Sequence, residues 1–333
     1  MREEELRAVR SGIIGACNAH RLANLLFASI EVGLYDQIPE EGATVEDIAR
    51  ACNLDPTAAR VLMQSLAATG ILAAQGRRFF LPCEYAQFFG AGPSSLLPHI
   101  RLLHEESEFW SRAAEVLRPS YDGPLLADVQ FRSDAVGAYM DLVEWNNRAY
   151  AALLWDRMSD LAPLLRQVLD VGPGYGYFSS TLLQRNEQVV VTFYDLENAL
   201  GRCRQRHEGQ PYTDRIRWEC GEAPALPYDG EFDVVMANDL LHYFSGAEKL
   251  TFLRAAHKAL KPQGRFMVVK FHLDESGCAP QNAALFSLKM FLTTHKSHLE
   301  TDEELEMLAR DAGFRNIERI RLDELKTLVT GIN

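Results

Sequence analysis

Hydrophobic positions follow two rhythms along this chain. In the first half they recur at helical spacing over residues 20–34, 96–117 and 136–158, three to four positions apart, as one apolar helix face requires. Thr44-Val-Glu-Asp47 is a capping-box variant that opens a short helix. Asp55 followed by Pro56 is an N-cap with proline at the first helical position, and that helix is expected to run to Thr69 with Gly70 as its stop. Residues 71–81 then alternate loosely about Gly76, as a β-ribbon would. Helix, turn, helix, ribbon is a winged-helix pattern.

The second half changes to short apolar runs set between helical segments. Residues 168–171, 189–194, 232–237 and 265–270 read as buried strands, with 315–322 and 327–330 as the last ones. Helices are expected over 177–184, from the capping box Ser245-Gly-Ala-Glu248 to residue 260, and from Thr301-Asp-Glu-Glu304 to Gly313. Apolar strands alternating with helices predict an α/β fold, a Rossmann-like doubly wound sheet covered on both faces. The expected organisation is a winged-helix domain at 1–90, a helical connector and pocket lid at 91–163 and the sheet domain at 164–333. A length of 333 residues suits more than one domain.

Composition and charge narrow the partners. Apolar residues make up 47% and charged ones 24%, ordinary for a soluble globular chain. With 34 basic against 46 acidic residues the net charge is -12, which repels a phosphate backbone or an anionic leaflet. Residues 1–90 hold 8 Arg and no Lys against 11 acids, and the second helix of the winged pattern carries only Arg60. Its remainder is Ala, Leu, Val and Met, a face suited to packing rather than to base edges. The expected partners are therefore a small-molecule substrate and a second copy of the chain, a homodimer built on residues 1–90, with no nucleic acid and no membrane. The first residues are charged and no apolar stretch is long enough for a bilayer, so a cytoplasmic location is expected. Six scattered cysteines form no C-x-x-C pair and read as buried small hydrophobes in a reducing compartment.

The chemistry concentrates where the first strand of the sheet domain meets Gly172-Pro-Gly-Tyr-Gly176 and then a helix. Glycines there permit a tight turn and a close approach of backbone to a ligand. Asp195 ends the next strand, 19 residues after Gly176, where a carboxylate can accept hydrogen bonds from a ribose diol. The turn is G-x-G-x-G, not the dinucleotide G-x-G-x-x-G.

Leu169-Asp-Val-Gly-Pro-Gly-Tyr-Gly176 resembles the S-adenosylmethionine-binding motif of class I methyltransferases. Nearly the whole chain is similar to one branch of them, the plant caffeic-acid and bacterial antibiotic-type small-molecule O-methyltransferases, including Ala28-Ser-Ile-Glu-Val-Gly-Leu-Tyr-Asp36 and the winged helix of that family's dimerisation domain. The resemblance implies S-adenosyl-L-methionine as cofactor, held by Gly172, Gly174, Gly176 and Asp195, with Leu196, Glu222, Ala223 and Asn238 around it. It also places Asn238-Asp-Leu-Leu-His-Tyr-Phe244 at the family's catalytic segment, implying His242 as general base. A histidine of ordinary pKa near 6.5 suits deprotonation of a phenol or enol.

The departures from the family touch the chemistry. His242 is followed by Tyr243-Phe244 instead of Asp-Trp, and Lys270 stands where the family has a glutamate that orients the histidine. Near His242, Lys270 would disfavour the imidazolium and keep the ring neutral; alternatively it would grip a substrate carboxylate or carbonyl. Pro173 and Tyr175 replace Gly and Thr in the glycine turn. Trp145, in an aromatic-rich helix, Met290, where the family sandwiches an aromatic substrate, and His295 are candidate substrate contacts. His295 and His298 lie three apart, but no third metal ligand is fixed by spacing, so no metal is expected. Transfer to carbon or nitrogen, a non-methylating cyclisation or rearrangement on the same fold, and a ligand-sensing winged-helix regulator are the alternatives.

Overall fold

The computed structural model describes residues 3–90, 92, 94–130 and 136–333; part of the expected connector, 131–135, lies outside the described residues. The chain divides into two compact units, 1–108 and 109–333.

In the first unit, helices Val45–Ala51 and Pro56–Ala68 are followed by a two-stranded ribbon, β1 (Ala73–Gln75) and β2 (Arg78–Phe80). The caps are those the side chains dictate. Thr44 and Asp47 form a reciprocal capping box, and Asp55 accepts from the Thr57 and Ala58 amides. Ile48, Ala59, Met63 and Leu66 pack with Leu34 and Leu72 into one small core. The Glu3–Asn18 helix, not foreseen from the apolar pattern, buries none of its residues.

The second unit holds a seven-stranded sheet in the order β5-β4-β3-β6-β7-β9-β8: β3 (Gln167–Val171), β4 (Val190–Asp195), β5 (Ile216–Cys220), β6 (Phe232–Met236), β7 (Leu260–Phe271), β8 (Arg315–Arg321) and β9 (Lys326–Ile332). β3 pairs in parallel with β4 on one side and β6 on the other, while β9 runs antiparallel between β7 and β8. Successive strand residues point to opposite faces, and both faces are buried. Val168, Val191, Phe193, Val234 and Met236 join a core with Leu154, Trp155, Phe178, Leu182 and Leu200. Leu169, Val171, Val235, Phe266 and Val268 join the opposite one with Phe252, Leu253, Ala256, Leu305 and Ala309. This two-sided burial is why the strands read as continuous apolar runs rather than alternating ones.

Strand β5 and the helices Glu197–His207 and Gln281–Thr294 are additions to the expected pattern. β5 is an edge strand with three of its five residues exposed, so Ile-Arg-Trp-Glu-Cys carries no apolar run. The cysteine expectation is corrected: only Cys203 is buried, Cys52 is intermediate, and Cys17, Cys83, Cys220 and Cys278 are exposed. Those four thiols face solvent rather than a core.

Candidate active site

The chain reverses direction across the sheet between β3 and β6, leaving a crevice beyond their carboxyl ends, where open α/β sheets take their ligands. A cavity of about 310 Å³ occupies it, wholly within the second unit. Its lining includes Asp170, Gly172, Gly174, Asp195, Leu196 and Asn238 from the strand ends and the turns that follow them, Val136, Tyr139, Met140 and Val143 from the Val136–Arg157 helix, and Tyr243.

The three glycines of the turn all adopt left-handed backbone, with φ of 64°, 58° and 68° at Gly172, Gly174 and Gly176, a conformation that L side chains resist. Their surroundings differ. A Cβ at Gly172 would meet the Leu240 side chain at 2.9 Å, whereas one at Gly174 would have nothing within 4 Å. At Gly176 it would stand 2.5 Å from the Phe193 ring. Gly176 does not line the cavity; it begins the Tyr177–Arg185 helix and lets that helix close on the sheet. Its glycine is required by this packing, whatever backbone contact it also makes with a ligand.

Two carboxylates lie at the base of the cavity. Asp170 is buried and accepts from the Ser179 hydroxyl at 2.5 Å; burial pushes its pKa up to about 7, against the pull of that hydrogen bond. Burial likewise raises Asp195 to about 6, opposed by the Leu196 amide, which donates to it at 2.8 Å. Lone carboxylates of this kind gain from a ligand that brings hydroxyl or ammonium donors. The residues fit S-adenosylmethionine: acids for a ribose diol and an amino group, open backbone at Gly174, and apolar and aromatic side chains opposite. The volume is at the lower end of the usual range for small-molecule sites. Glu222 and Ala223, in the loop after β5, are not part of the cavity wall, and Glu222 is exposed.

The acceptor-side candidates are more dispersed. His242 is buried in the short 3-10 turn Leu241–Tyr243 after β6. Its ring packs against Tyr243, Phe271 and Phe286 and makes no hydrogen bond with the described residues. Burial lowers its pKa to about 4, with Asp239 and Glu300 raising it and Lys326 and Lys249 lowering it further. Desolvation is the first cause of its neutrality, with Lys326 and Lys249, rather than Lys270, as the cations acting on it. The Lys270 ammonium instead donates to Asp302 at 2.9 Å, and Asp302 also accepts from His272 and Thr327. The cavity wall includes Leu240 and Tyr243 but neither the His242 ring nor Lys270. Tyr243 touches both the cavity and His242, and its hydroxyl is hydrogen-bonded to that of Tyr139.

Met290 is buried, His295 ends the Gln281–Thr294 helix in left-handed backbone against Tyr121 and Phe291, and Trp145 is 62% exposed. None of the three lines the cavity. Among the described residues no group of three or more His, Cys, Asp or Glu side chains is placed to hold a metal ion.

Sequence reasoning missed the pair Asp239–Lys326. Asp239, at φ 50°, lines the cavity, and the Lys326 ammonium donates to both its oxygens at 2.5 and 2.7 Å while resting 3.5 Å over the Phe271 ring. A lysine heading an otherwise apolar strand, Lys326-Thr-Leu-Val-Thr-Gly-Ile332, was the available signal.

Comparison with known proteins agrees with this geometry. Residues 168–264 match the family described as a methyltransferase domain. The chain is 23% identical over 319 residues, 92% of its own length and 91% of the relative's, to the tetracenomycin polyketide synthesis 8-O-methyl transferase TcmO of Streptomyces glaucescens. It superposes on an O-methyltransferase family protein from Burkholderia thailandensis with a TM-score of 0.85 at 22% identity, covering 97% of both chains. The structure of PigF with SAH gives 0.82 at 22% identity, over 97% of this chain and 99% of that one. At these identities the superpositions establish a shared fold. Residues 168–264 are thus a methyltransferase domain, and the chain has the class I methyltransferase fold. Its cofactor is S-adenosylmethionine.

Proposed function

We propose that the protein transfers the methyl group to a hydroxyl of a small aromatic or polyketide-like metabolite, with His242 taking the hydroxyl's proton. The observation that carries this reading is a buried, neutral imidazole without a hydrogen-bond partner among the described residues, one residue from the cavity wall. The name of TcmO, an 8-O-methyl transferase of polyketide synthesis, supports oxygen as acceptor and the substrate class.

Bound in the cavity, S-adenosylmethionine supplies an already activated methyl group, so the chain has to align a nucleophile and receive a proton. The aromatic and apolar wall of Tyr139, Met140, Val143 and Tyr243 suits a flat acceptor. The acceptor oxygen reaches His242 as Tyr243 gives way, exchanging its contact with Tyr139 for one with substrate. A neutral ring at ordinary pH is in the accepting state; burial makes it a weak base, which suits an acidic phenol or enol better than an aliphatic alcohol. Turnover of a panel of phenols and alcohols with labelled cofactor tests the reading. Methylated phenol supports it, and exclusive carbon or nitrogen methylation overturns it.

The same reading includes a homodimer through the winged-helix region. The Glu3–Asn18 helix exposes Leu6, Val9, Ile13 and Ile14, an apolar row too large to leave in water. Light scattering should give a dimer that deletion of residues 1–18 weakens; a monomer at micromolar concentration would remove this part of the proposal.

A further inference from the structure

A second cavity of about 280 Å³ lies behind the glycine turn, and its character is opposite to that of the first. Two guanidinium groups from different helices converge on it: Arg148, from Val136–Arg157, and Arg206, from Glu197–His207. Both reach Glu144 Oε1 through Nη2, Arg206 at 2.8 Å and Arg148 at 3.4 Å. Each guanidinium has five N–H donors in a fork, and among the described residues its hydrogen bonding is confined to this one oxygen. The Ser180 and Thr181 hydroxyls already donate to the Tyr177 carbonyl. The remaining donors along the lining are the two forks, the side-chain amides of Gln184 and Gln210 and the hydroxyls of Tyr175, Tyr177 and Tyr212, of which Tyr175 is already paired with Asp141 and Tyr212 with Ser180 and Gln184. Two arginines and one glutamate line the site, with Asp141 acting on Arg206 from outside the lining, and a pair of forks is the arrangement that recognises a tetrahedral oxyanion.

The two cavities share a wall. Tyr175, Tyr177 and Glu144 border both. Arg206 lies 5.9 Å from the Tyr175 ring centroid and Arg148 5.6 Å from that of Tyr177. The buried His207 donates from Nε2 to the Tyr175 carbonyl at 2.9 Å, so the second site is anchored to the glycine turn itself. Glu144 is buried between them, and the arginines are its counter-ions.

We propose that this cavity binds a phosphate oxyanion, and that its occupation strengthens binding of the cationic cofactor next door. An anion held by Arg148 and Arg206 draws them from Glu144 and adds negative charge behind the wall. Both changes favour S-adenosylmethionine, which carries a sulfonium charge, over S-adenosylhomocysteine, which does not. Coupling between sites is reciprocal, so the cofactor must tighten the anion in return.

The test is calorimetry on the whole chain at constant ionic strength, balanced with sodium chloride. Inorganic phosphate is one probe and glycerol 3-phosphate the other. We expect saturable phosphate binding, and S-adenosylmethionine affinity raised about fivefold at saturation, the low end of ordinary coupling, with S-adenosylhomocysteine affected less. A response to both probes indicates the free ion, and a response to glycerol 3-phosphate alone indicates an ester-borne phosphate; either upholds the site. Arg206→Gln and, independently, Arg148→Gln should each weaken the anion about tenfold and abolish the coupling while S-adenosylhomocysteine still binds. Absence of saturable binding by either probe, an unchanged response in both variants, or competition between phosphate and cofactor would overturn the proposal.

Discussion

The two sides of the first cavity are built in opposite ways. Apart from Asn238, the cofactor side is local in sequence: β3, the glycine turn and the end of β4 lie within residues 167–196, and the turn's backbone shape follows from three left-handed glycines. The acceptor side draws on Tyr139, Asp239, Tyr243 and Lys326, nearly 190 positions apart along roughly half the chain. It is set by packing, with His242 wedged among three aromatic rings. A local turn tolerates change elsewhere in the chain, whereas a packed assembly shifts when any member does. Divergence in substrate choice can thus proceed on one side without loss of cofactor on the other.

The largest expected effect separates the sides directly. His242→Ala should lower kcat by about 10²–10⁴-fold, the usual contribution of a general base, with the affinity for S-adenosylhomocysteine nearly intact. Full turnover in this variant would mean that alignment alone suffices. Lys270 comes next, and its effect should be on stability rather than chemistry. Lys270→Met leaves Asp302 buried with one cation fewer, which should cost about 3–5 kcal/mol in denaturant unfolding. The acid limb of kcat/KM should stay in place, because His242 is held neutral by burial. A shifted limb with unchanged stability would return Lys270 to the catalytic machinery.

This division also marks how far the sequence could be read. The strands, the three capping boxes and the glycine turn each depend on neighbours within a few positions, and the fold and cofactor class follow from them. Gly176 shows the limit even there: its φ was legible, but the Phe193 ring that forbids a Cβ comes from another strand. Lys270 was placed beside His242 because a family glutamate occupies that position. Its true partner, Asp302, opens a helix 32 residues later, and no local pattern predicts a buried ion pair across such a gap. Trp145 lies outside the cavity lining, and this was illegible for a simpler reason. The Val136–Arg157 helix has buried or half-buried residues around most of its circumference, so spacing could not tell which aromatic faced outward.

On the cofactor side, Asp195→Ala should weaken S-adenosylhomocysteine roughly 10- to 100-fold, the loss of charged hydrogen bonds worth about 1.5–3 kcal/mol. Unchanged affinity would remove the ribose role and leave the glycine turn as the main hold. The fold should tolerate the change, because among the described residues the Asp195 carboxylate accepts only from the adjacent Leu196 amide.

The smallest effect is a pH dependence of binding, and its sign follows from burial. Without cofactor, Asp195 titrates at about 6 and Asp170 at about 7, both raised mainly by desolvation. A carboxyl whose folded pKa lies above its unfolded value near 3.9 stabilises the fold fully at low pH, and that contribution is lost as pH rises through the folded pKa. The free chain therefore holds these acids partly protonated near neutrality. Donors on the cofactor favour the ionised form, so binding should release protons and lower both pKa values. S-adenosylhomocysteine affinity should fall about tenfold between pH 7 and pH 5, and calorimetry at pH 6 in buffers of different ionisation enthalpy should show the proton release. In Asp195→Asn the release should shrink to the share of Asp170. Flat affinity across this range, with no proton release, would mean that neither acid meets the cofactor. The hold would then rest on backbone and apolar contacts, and the electrostatic contrast between the two sides would disappear.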